Sequence, residues 1–150
     1  MRHVYKLLIL LLTFIIQYSW GSYITICGVT PNLMLALIIT MALSSDFLEA
    51  GIYGLTAGVL IDIFWGRAFG FYSLSFMYLP LLARAFIELI YKNSAFRSAA
   101  ITFFATLVFE TLLYFLSFII WGKGNFPYAL VRLILPVAFY TFIVELIIYK

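Results

Sequence analysis

The residues most able to do chemistry in this chain are a few carboxylates set in long apolar runs. Asp62 and Glu110 both lie among aliphatic and aromatic residues. Acid–base catalysis by a pair of carboxylates needs the two groups to face one another, but these two fall on different predicted helices at different depths. The only histidine is His3, and the sequence contains no HExxH, P-loop or paired-cysteine motif. The sequence therefore predicts no catalytic, cofactor-binding or metal-binding residues and no enzyme.

The composition is that of an integral membrane protein. The chain is 66% hydrophobic and 10% charged over 150 residues, whereas soluble domains carry about 25% charged residues. The net charge of +3 comes from nine scattered Lys and Arg residues, which form no basic stripe and do not indicate a nucleic-acid partner. Cys27 is the only cysteine, so an intrachain disulfide is excluded.

Hydropathy predicts a single all-α membrane domain over residues 1–150. Each crossing takes about 20 residues, so the length suits six transmembrane helices with short loops. Pro31 and Asn32 are predicted to start the regular part of the second helix, because proline is favoured in a first turn. The preceding residues could be extended or re-entrant. The predicted helices cover about 5–22, 27–45, 47–65, 71–91, 98–121 and 128–148.

The basic residues indicate how the helices are oriented. Cytoplasmic loops carry an excess of Lys and Arg. A cytoplasmic N-terminus with six spans also makes the C-terminus cytoplasmic, whereas five spans would move Lys92 and Arg97 outside. The six-span layout places Arg2, Lys6, Arg84, Lys92, Arg97 and Lys150 on or near the cytoplasmic side, and Arg67, Lys123 and Arg132 on the other.

A run of residues spaced by four marks the stretch from 51 to 70. Gly54, Gly58, Asp62, Gly66 and Gly70 recur at this interval. Four residues turn a helix by about 40° beyond a full rotation, so the first three share one face. The glycines flatten this face for close helix packing, either within the chain or against a partner. The carboxylate of Asp62 lies at the end of this glycine face and needs a polar partner.

The remaining charged residues suggest contacts within the membrane. Asp62 and Arg132 are both expected in the outer third, which allows an ion pair between the third and sixth helices. Arg84 and Glu88 lie one helical turn apart and can pair with each other. Glu110 is close to the midpoint of the fifth helix, where we expect it to face a cavity, a partner or nearby hydroxyl groups.

These features together resemble the MreD family of the bacterial rod-shape system. The specific likeness lies in Pro31-Asn32-Leu33, where the family usually has Pro-Asp-Leu, and in Gly51 to Gly70, which is similar to the family's GxxxGxxxD element. The resemblance implies a multi-pass, non-enzymatic subunit of the elongation machinery in the bacterial inner membrane. Such a subunit would dock MreC, be linked through it to MreB, RodA and the RodA-associated transpeptidase, and support lateral peptidoglycan synthesis and cell shape.

The resemblance also implies a role for the glycine face. Gly54 and Gly58 would accept a close helix, from this chain or from MreC, and Asp62 would fix its register by a hydrogen bond. The alternative class is the substrate-binding membrane subunit of an energy-coupling-factor vitamin transporter, which is also small and six-helical. Those subunits dock their partner through small residues on the first helix, whereas here no alanine or glycine precedes Gly21.

Overall fold

The structure, a computed structural model, describes residues 2–65, 69–88, 95–122 and 124–148. These residues are almost wholly helical, which confirms the prediction of an all-helical protein. Gly66, Arg67, Lys92, Lys123 and Lys150 lie outside the described residues, as do the side chains of Arg2 and Glu88. The helices are α1 (Arg2–Ile24), α2 (Leu33–Leu43), α3 (Phe47–Trp65), α4 (Phe71–Glu88), α5 (Ala95–Trp121) and α6 (Phe126–Ile148).

The second helix is shorter than predicted. Helix α2 begins at Leu33 with Asn32 as its N-cap, which agrees with the start predicted at Pro31 and Asn32 for its regular part. The span predicted from residue 27 is too long, because Cys27 and Gly28 have positive φ angles of 54° and 81°. Two consecutive residues with positive φ are typical of a tight hairpin turn. The turn is closed by hydrogen bonds of 3.0 Å in both directions between Ile26 and Val29. Its exposed, non-helical backbone belongs outside the hydrocarbon layer.

Helix α2 is the centre of the bundle. All residues from 34 to 39 are buried, and α2 packs against each of the other five helices. It has 11 residues and, at about 1.5 Å per residue, it is far shorter than the roughly 30 Å hydrocarbon core. A short helix that is apolar on every side is stable only inside such a shell.

Four helices of the described chain are long and apolar enough to cross a membrane. Helix α2 is too short, and α4 is not among the four although it has 18 residues. Its tyrosines, serines and arginine lower its hydropathy. The four candidate spans are His3–Tyr23, Phe47–Phe64, Ala95–Ile120 and Phe126–Ile148.

Neighbouring helices alternate in direction. At one end of the bundle, Lys6 near the start of α1 pairs with Glu49 near the start of α3, with 3.2 Å between Nζ and Oε2. At the same end, Arg84 of α4 donates to the carbonyl of Leu43, which ends α2. The end of α6 and the start of α5 also meet there. The described helices therefore form an up-and-down bundle.

The last helix is widened just before a proline. Residues Leu130–Ile134 form a π turn within α6, and the N–H of Leu135 donates to the carbonyl of Leu130. Pro136 has no N–H and its ring crowds the carbonyl four residues earlier, which belongs to Arg132. The wider turn accommodates this proline without breaking the helix.

Candidate functional site

The glycine face of α3 is covered by α4 of the same chain. A Cβ atom placed on Gly54 would lie 1.9 Å from the carbonyl oxygen of Phe76 and 3.0 Å from Cγ of Pro80. Pro80 cannot donate the usual helical hydrogen bond to Phe76, so this carbonyl is free to point at α3. It meets the Cα of Gly54 in the kind of Cα–H···O contact found where helices pack closely.

The second glycine of this face is equally tightly packed. A Cβ atom on Gly58 would lie 2.5 Å from both Cα of Ser73 and the carbonyl oxygen of Tyr72. Backbone atoms of α4 therefore occupy the space that two absent side chains leave. The close helix anticipated at Gly54 and Gly58 is a neighbour in the same chain, and this face leaves no room for a helix of MreC.

The carboxylate of Asp62 caps the start of α4. It accepts hydrogen bonds from the N–H groups of Gly70 at 3.1 Å, Tyr72 at 3.2 Å and Ser73 at 2.9 Å, and from the Ser73 hydroxyl. The first N–H groups of a helix have no partner within it, and negative charge is favourable at that end. Gly70 has a φ of 92°, a value that glycine adopts readily, and so turns the chain back toward Asp62.

Arg132 has a different partner from the one predicted. Its guanidinium lies over the ring of Tyr128, 5.5 Å from the centroid, and donates to the Tyr128 hydroxyl at 3.1 Å. Both side chains are exposed, whereas Asp62 is 5% exposed. The predicted Asp62–Arg132 ion pair is thus not among the contacts of the described residues, because backbone donors already surround the carboxylate.

Arg84 and three polar residues hold the two ends of α2. The Arg84 guanidinium donates to the carbonyl of Leu43 at 2.8 Å, where positive charge favours a helix C-terminus. At the other end Asn32 is the N-cap, and its side chain accepts from the N–H of Leu35 at 3.1 Å. Gln17 of α1 accepts from Met34, and the N–H of Asn32 donates to Thr141.

A second buried carboxylate, Glu145, was not singled out by the sequence. It is fully buried on α6 and accepts hydrogen bonds from the hydroxyls of Thr40 on α2 and Ser98 on α5. Thr102, one turn after Ser98, is also fully buried. The pair of small hydroxyl residues four apart on α5 was the one available signal. The contact between Ser98 and Glu145 depends on the packing of α5 against α6, which the sequence does not show.

We expect Glu145→Ala to destabilise the bundle strongly. The change leaves the hydroxyl of Ser98 without its acceptor and that of Thr40 with only the carbonyl of Ala36, and it opens a cavity where three helices meet. Together these effects cost about 2–4 kcal/mol. Glu145→Gln keeps one acceptor oxygen and should cost less. Thermal unfolding in detergent measures both, with Ile143→Ala on the exposed side of α6 as the control. Equal losses for Glu145→Ala and Ile143→Ala would contradict the role assigned to this cluster.

Glu110 differs from the other membrane-embedded carboxylates because it faces a cavity. The cavity has a volume of about 150 Å³ and lies between α1, the start of α2, α4 and α5. The nearby hydroxyls that could have met it do not, since Thr106 and Thr111 donate to the carbonyls of Thr102 and Leu107 in their own helix. Among the described residues, no group donates a hydrogen bond to Glu110.

Most polar side chains described above join one helix of the chain to another. The protein therefore belongs to the class of helical membrane proteins in which buried polar groups hold the helices of one chain together. The model of the family described as rod shape-determining protein MreD matches residues 1–150, the whole sequence. The chain belongs to the MreD family. No curated protein and no solved structure matches it.

The family assignment decides between the two classes that the sequence left open. The resemblance that rested on the proline-led helix start and the glycine stretch is confirmed over the full length. The chain is therefore a membrane protein of the rod-shape system. The MreD family consists of structural membrane proteins and is not a known enzyme family. The match does not favour the vitamin-transporter alternative.

Proposed function

We propose that this protein is a non-enzymatic, six-span subunit of the bacterial rod-shape complex in the cytoplasmic membrane, with both termini in the cytoplasm. Its role in this proposal is to dock the single transmembrane helix of MreC. Through MreC it is linked to MreB, RodA and the RodA-associated transpeptidase, and so to lateral peptidoglycan synthesis. The observation that carries the docking role is a groove between α4 and α5 that the described residues leave open.

The alternating bundle supports the six-span topology. Lys6 and Arg84 lie at one end of the bundle, together with the start of α5 that carries Arg97. Arg132 lies toward the start of α6, at the opposite end. An excess of basic residues favours the cytoplasmic side, which supports a cytoplasmic start of α1. The short helix α2 crosses with the help of the residues before it, shielded from lipid by its neighbours.

Cysteine labelling distinguishes six spans from the four that hydropathy alone supports. If α2 and α4 fail to cross, the loops on either side of α3 exchange sides. In a Cys27→Ser background, we expect Phe69→Cys to react with a membrane-impermeant maleimide added outside, and Ser44→Cys to be protected. Both positions are exposed. Native Cys27, exposed in the first turn, is the positive control. Labelling of Ser44→Cys with protection of Phe69→Cys would contradict six spans.

The α4–α5 groove has the shape and surface of a helix-binding site. Its volume is about 400 Å³ and its lining is almost wholly apolar. Ala83, Ala100 and Ala105 keep its floor low, whereas Phe86 and Phe104 are 58% and 66% exposed along its walls. Small residues let helix backbones approach closely in lipid. The groove is a better docking site for MreC than the glycine face, because α4 already fills the latter.

Cross-linking in native membranes tests the docking proposal. In the Cys27→Ser background, we expect Phe104→Cys to form a disulfide with a cysteine introduced into the transmembrane helix of MreC. Val59→Cys, on the exposed face of α3 outside the groove, is the matched control and should not react. Equal cross-linking at both positions, or failure of MreC to co-purify, would contradict docking at this groove.

A second variant tests whether filling the groove prevents MreC from binding. Ala100→Trp places a large side chain on its floor, so we expect at least a tenfold loss of MreC recovered with the protein. Leu55→Trp adds the same bulk on the exposed side of α3 and should leave recovery unchanged. The thermal unfolding of both variants shows whether each remains folded, and unchanged recovery with a folded Ala100→Trp variant would contradict the proposal.

A further inference from the structure

The cavity at Glu110 continues toward one end of the bundle. A second cavity of about 230 Å³ adjoins it, and both are lined by Gln17, Tyr18, Thr30 and Pro31. The second cavity also touches Gly21 near the end of α1, beside the exposed turn that precedes α2. Small-molecule sites are concave and usually hold about 300–1,000 Å³, so the two cavities together suit a small ligand.

The carboxylate of Glu110 is an acceptor that the folded chain leaves unused. Asp62 has four donors and Glu145 has at least two hydroxyl partners, and Glu49 pairs with Lys6. Among the described residues Asp46 also has no side-chain partner, but it is exposed in the loop before α3, so Glu110 is the exception among the carboxylates within the bundle. An ionised carboxylate only accepts hydrogen bonds, so its missing partner is a donor, best a cationic one.

Two amide groups give the same cavity unused donors. The side-chain oxygen of Gln17 accepts from Met34 and that of Asn32 accepts from Leu35. Both residues line the cavity, and each amide retains an NH₂ group that can donate. In the described part of the chain no acceptor engages either nitrogen. When Glu110 is ionised, the cavity thus combines one negatively charged acceptor with two neutral donors.

This combination fits a small zwitterion. We propose that the cavity binds a small α-amino acid, whose ammonium group donates to Glu110 and whose carboxylate accepts from the amides of Gln17 and Asn32. The described residues bring no group of three metal-binding side chains together, so a divalent metal is a poorer fit. The volume of the inner cavity, about 150 Å³, limits the side chain to a small one.

Thermal unfolding of the full chain in detergent tests the proposal with glycine, alanine and serine as probes. A ligand that binds only the folded state raises Tm with its concentration. Ethylammonium lacks the carboxylate of alanine and propionate lacks its ammonium group, so both should bind at least tenfold more weakly than alanine. No Tm rise with any of the three amino acids would overturn the proposal, as would equal binding of alanine and its two fragments.

A pair of variants on α5 tests whether the amino acid binds at Glu110. We expect Glu110→Gln to weaken alanine binding about 10- to 100-fold, as expected for loss of a charged hydrogen bond. Thr111→Ala is the matched control, because its hydroxyl donates within its own helix, and it should bind alanine as the unchanged chain does. Unweakened binding by Glu110→Gln would overturn the proposal. If Glu110→Gln does not fold, the comparison of alanine with its fragments on the unchanged chain still decides the outcome.

Discussion

Replacing Gly54 or Gly58 with alanine is expected to disrupt the packing of α3 on α4 and leave little folded protein. A methyl group at Gly54 would lie 1.9 Å from the Phe76 carbonyl oxygen, and one at Gly58 would lie 2.5 Å from Cα of Ser73. Both obstacles are backbone, so the helices must move apart. Overpacking commonly costs about 1–3 kcal/mol and sometimes more, and separation would also displace the carboxylate of Asp62 from α4.

The matched control for these variants lies on the same helix. The nearest atom to the methyl group of Gly51→Ala would be Cδ2 of Leu81 at 3.4 Å, an ordinary contact, and alanine favours a helix over glycine by about 1 kcal/mol. The monodisperse fraction in detergent and the unfolding temperature measure all three variants. Normal folding of Gly58→Ala combined with loss of MreC would show that the glycine face meets the partner instead of α4.

Asp62→Ala is expected to be the most damaging change of a single polar side chain. It removes the acceptor for three backbone N–H groups and one hydroxyl at the start of α4. Loss of a cap costs about 0.5–2 kcal/mol, and the buried donors left unpaired add about 1–3 kcal/mol. Asp62→Asn keeps one acceptor oxygen and should fall between the original chain and Asp62→Ala.

Variants of Arg132 test whether Asp62 acts as a cap of α4 or as the partner of Arg132 in the ion pair predicted from the sequence. Because Arg132 contacts Tyr128 and not Asp62, Arg132→Ala should change the unfolding temperature little. Exchanging the two charges should leave the protein as unstable as Asp62→Arg alone. Recovery of stability in the exchanged protein would show that the two side chains pair in the membrane.

Sequence patterns within a single helix predicted the features that depend on that helix alone, such as its span and the residues that share one face. The prediction for α3, residues 47–65, agrees with Phe47–Trp65, because a long apolar run in lipid has to be helical. Pro31 and Asn32, predicted to start the regular part of α2, agree with its N-cap at Asn32. The wider span from residue 27 began too early, because Ile26 and Val29 close a turn that hydropathy cannot distinguish from helix. The four-residue spacing correctly grouped Gly54, Gly58 and Asp62 on one face.

Partners distant in the chain could not be predicted in the same way. Charge suggested Arg132 for Asp62, but the donors that meet Asp62 are backbone N–H groups, which no residue type reveals. The acceptor in the Thr40–Ser98–Glu145 cluster lies 105 residues from Thr40, so the cluster becomes visible only when the helices are assembled. The cavity at Glu110 was likewise not predictable, because it is lined by residues of several helices whose packing the sequence does not show.

The bonds between α2 and α6 have a consequence for biosynthesis. Chains emerge from the ribosome N-terminus first, so α2 is made early, whereas Thr141 and Glu145 are made last. The N–H of Asn32 therefore has no acceptor until Thr141, 109 residues downstream, has been made. The hydroxyl of Thr40 can donate to the carbonyl of Ala36 in its own helix until Glu145 arrives. Until α6 has been made, the central helix has an unpaired backbone donor and no complete shell around it. The shell around the shortest helix is thus completed only when α6, the last helix to be made, packs against it.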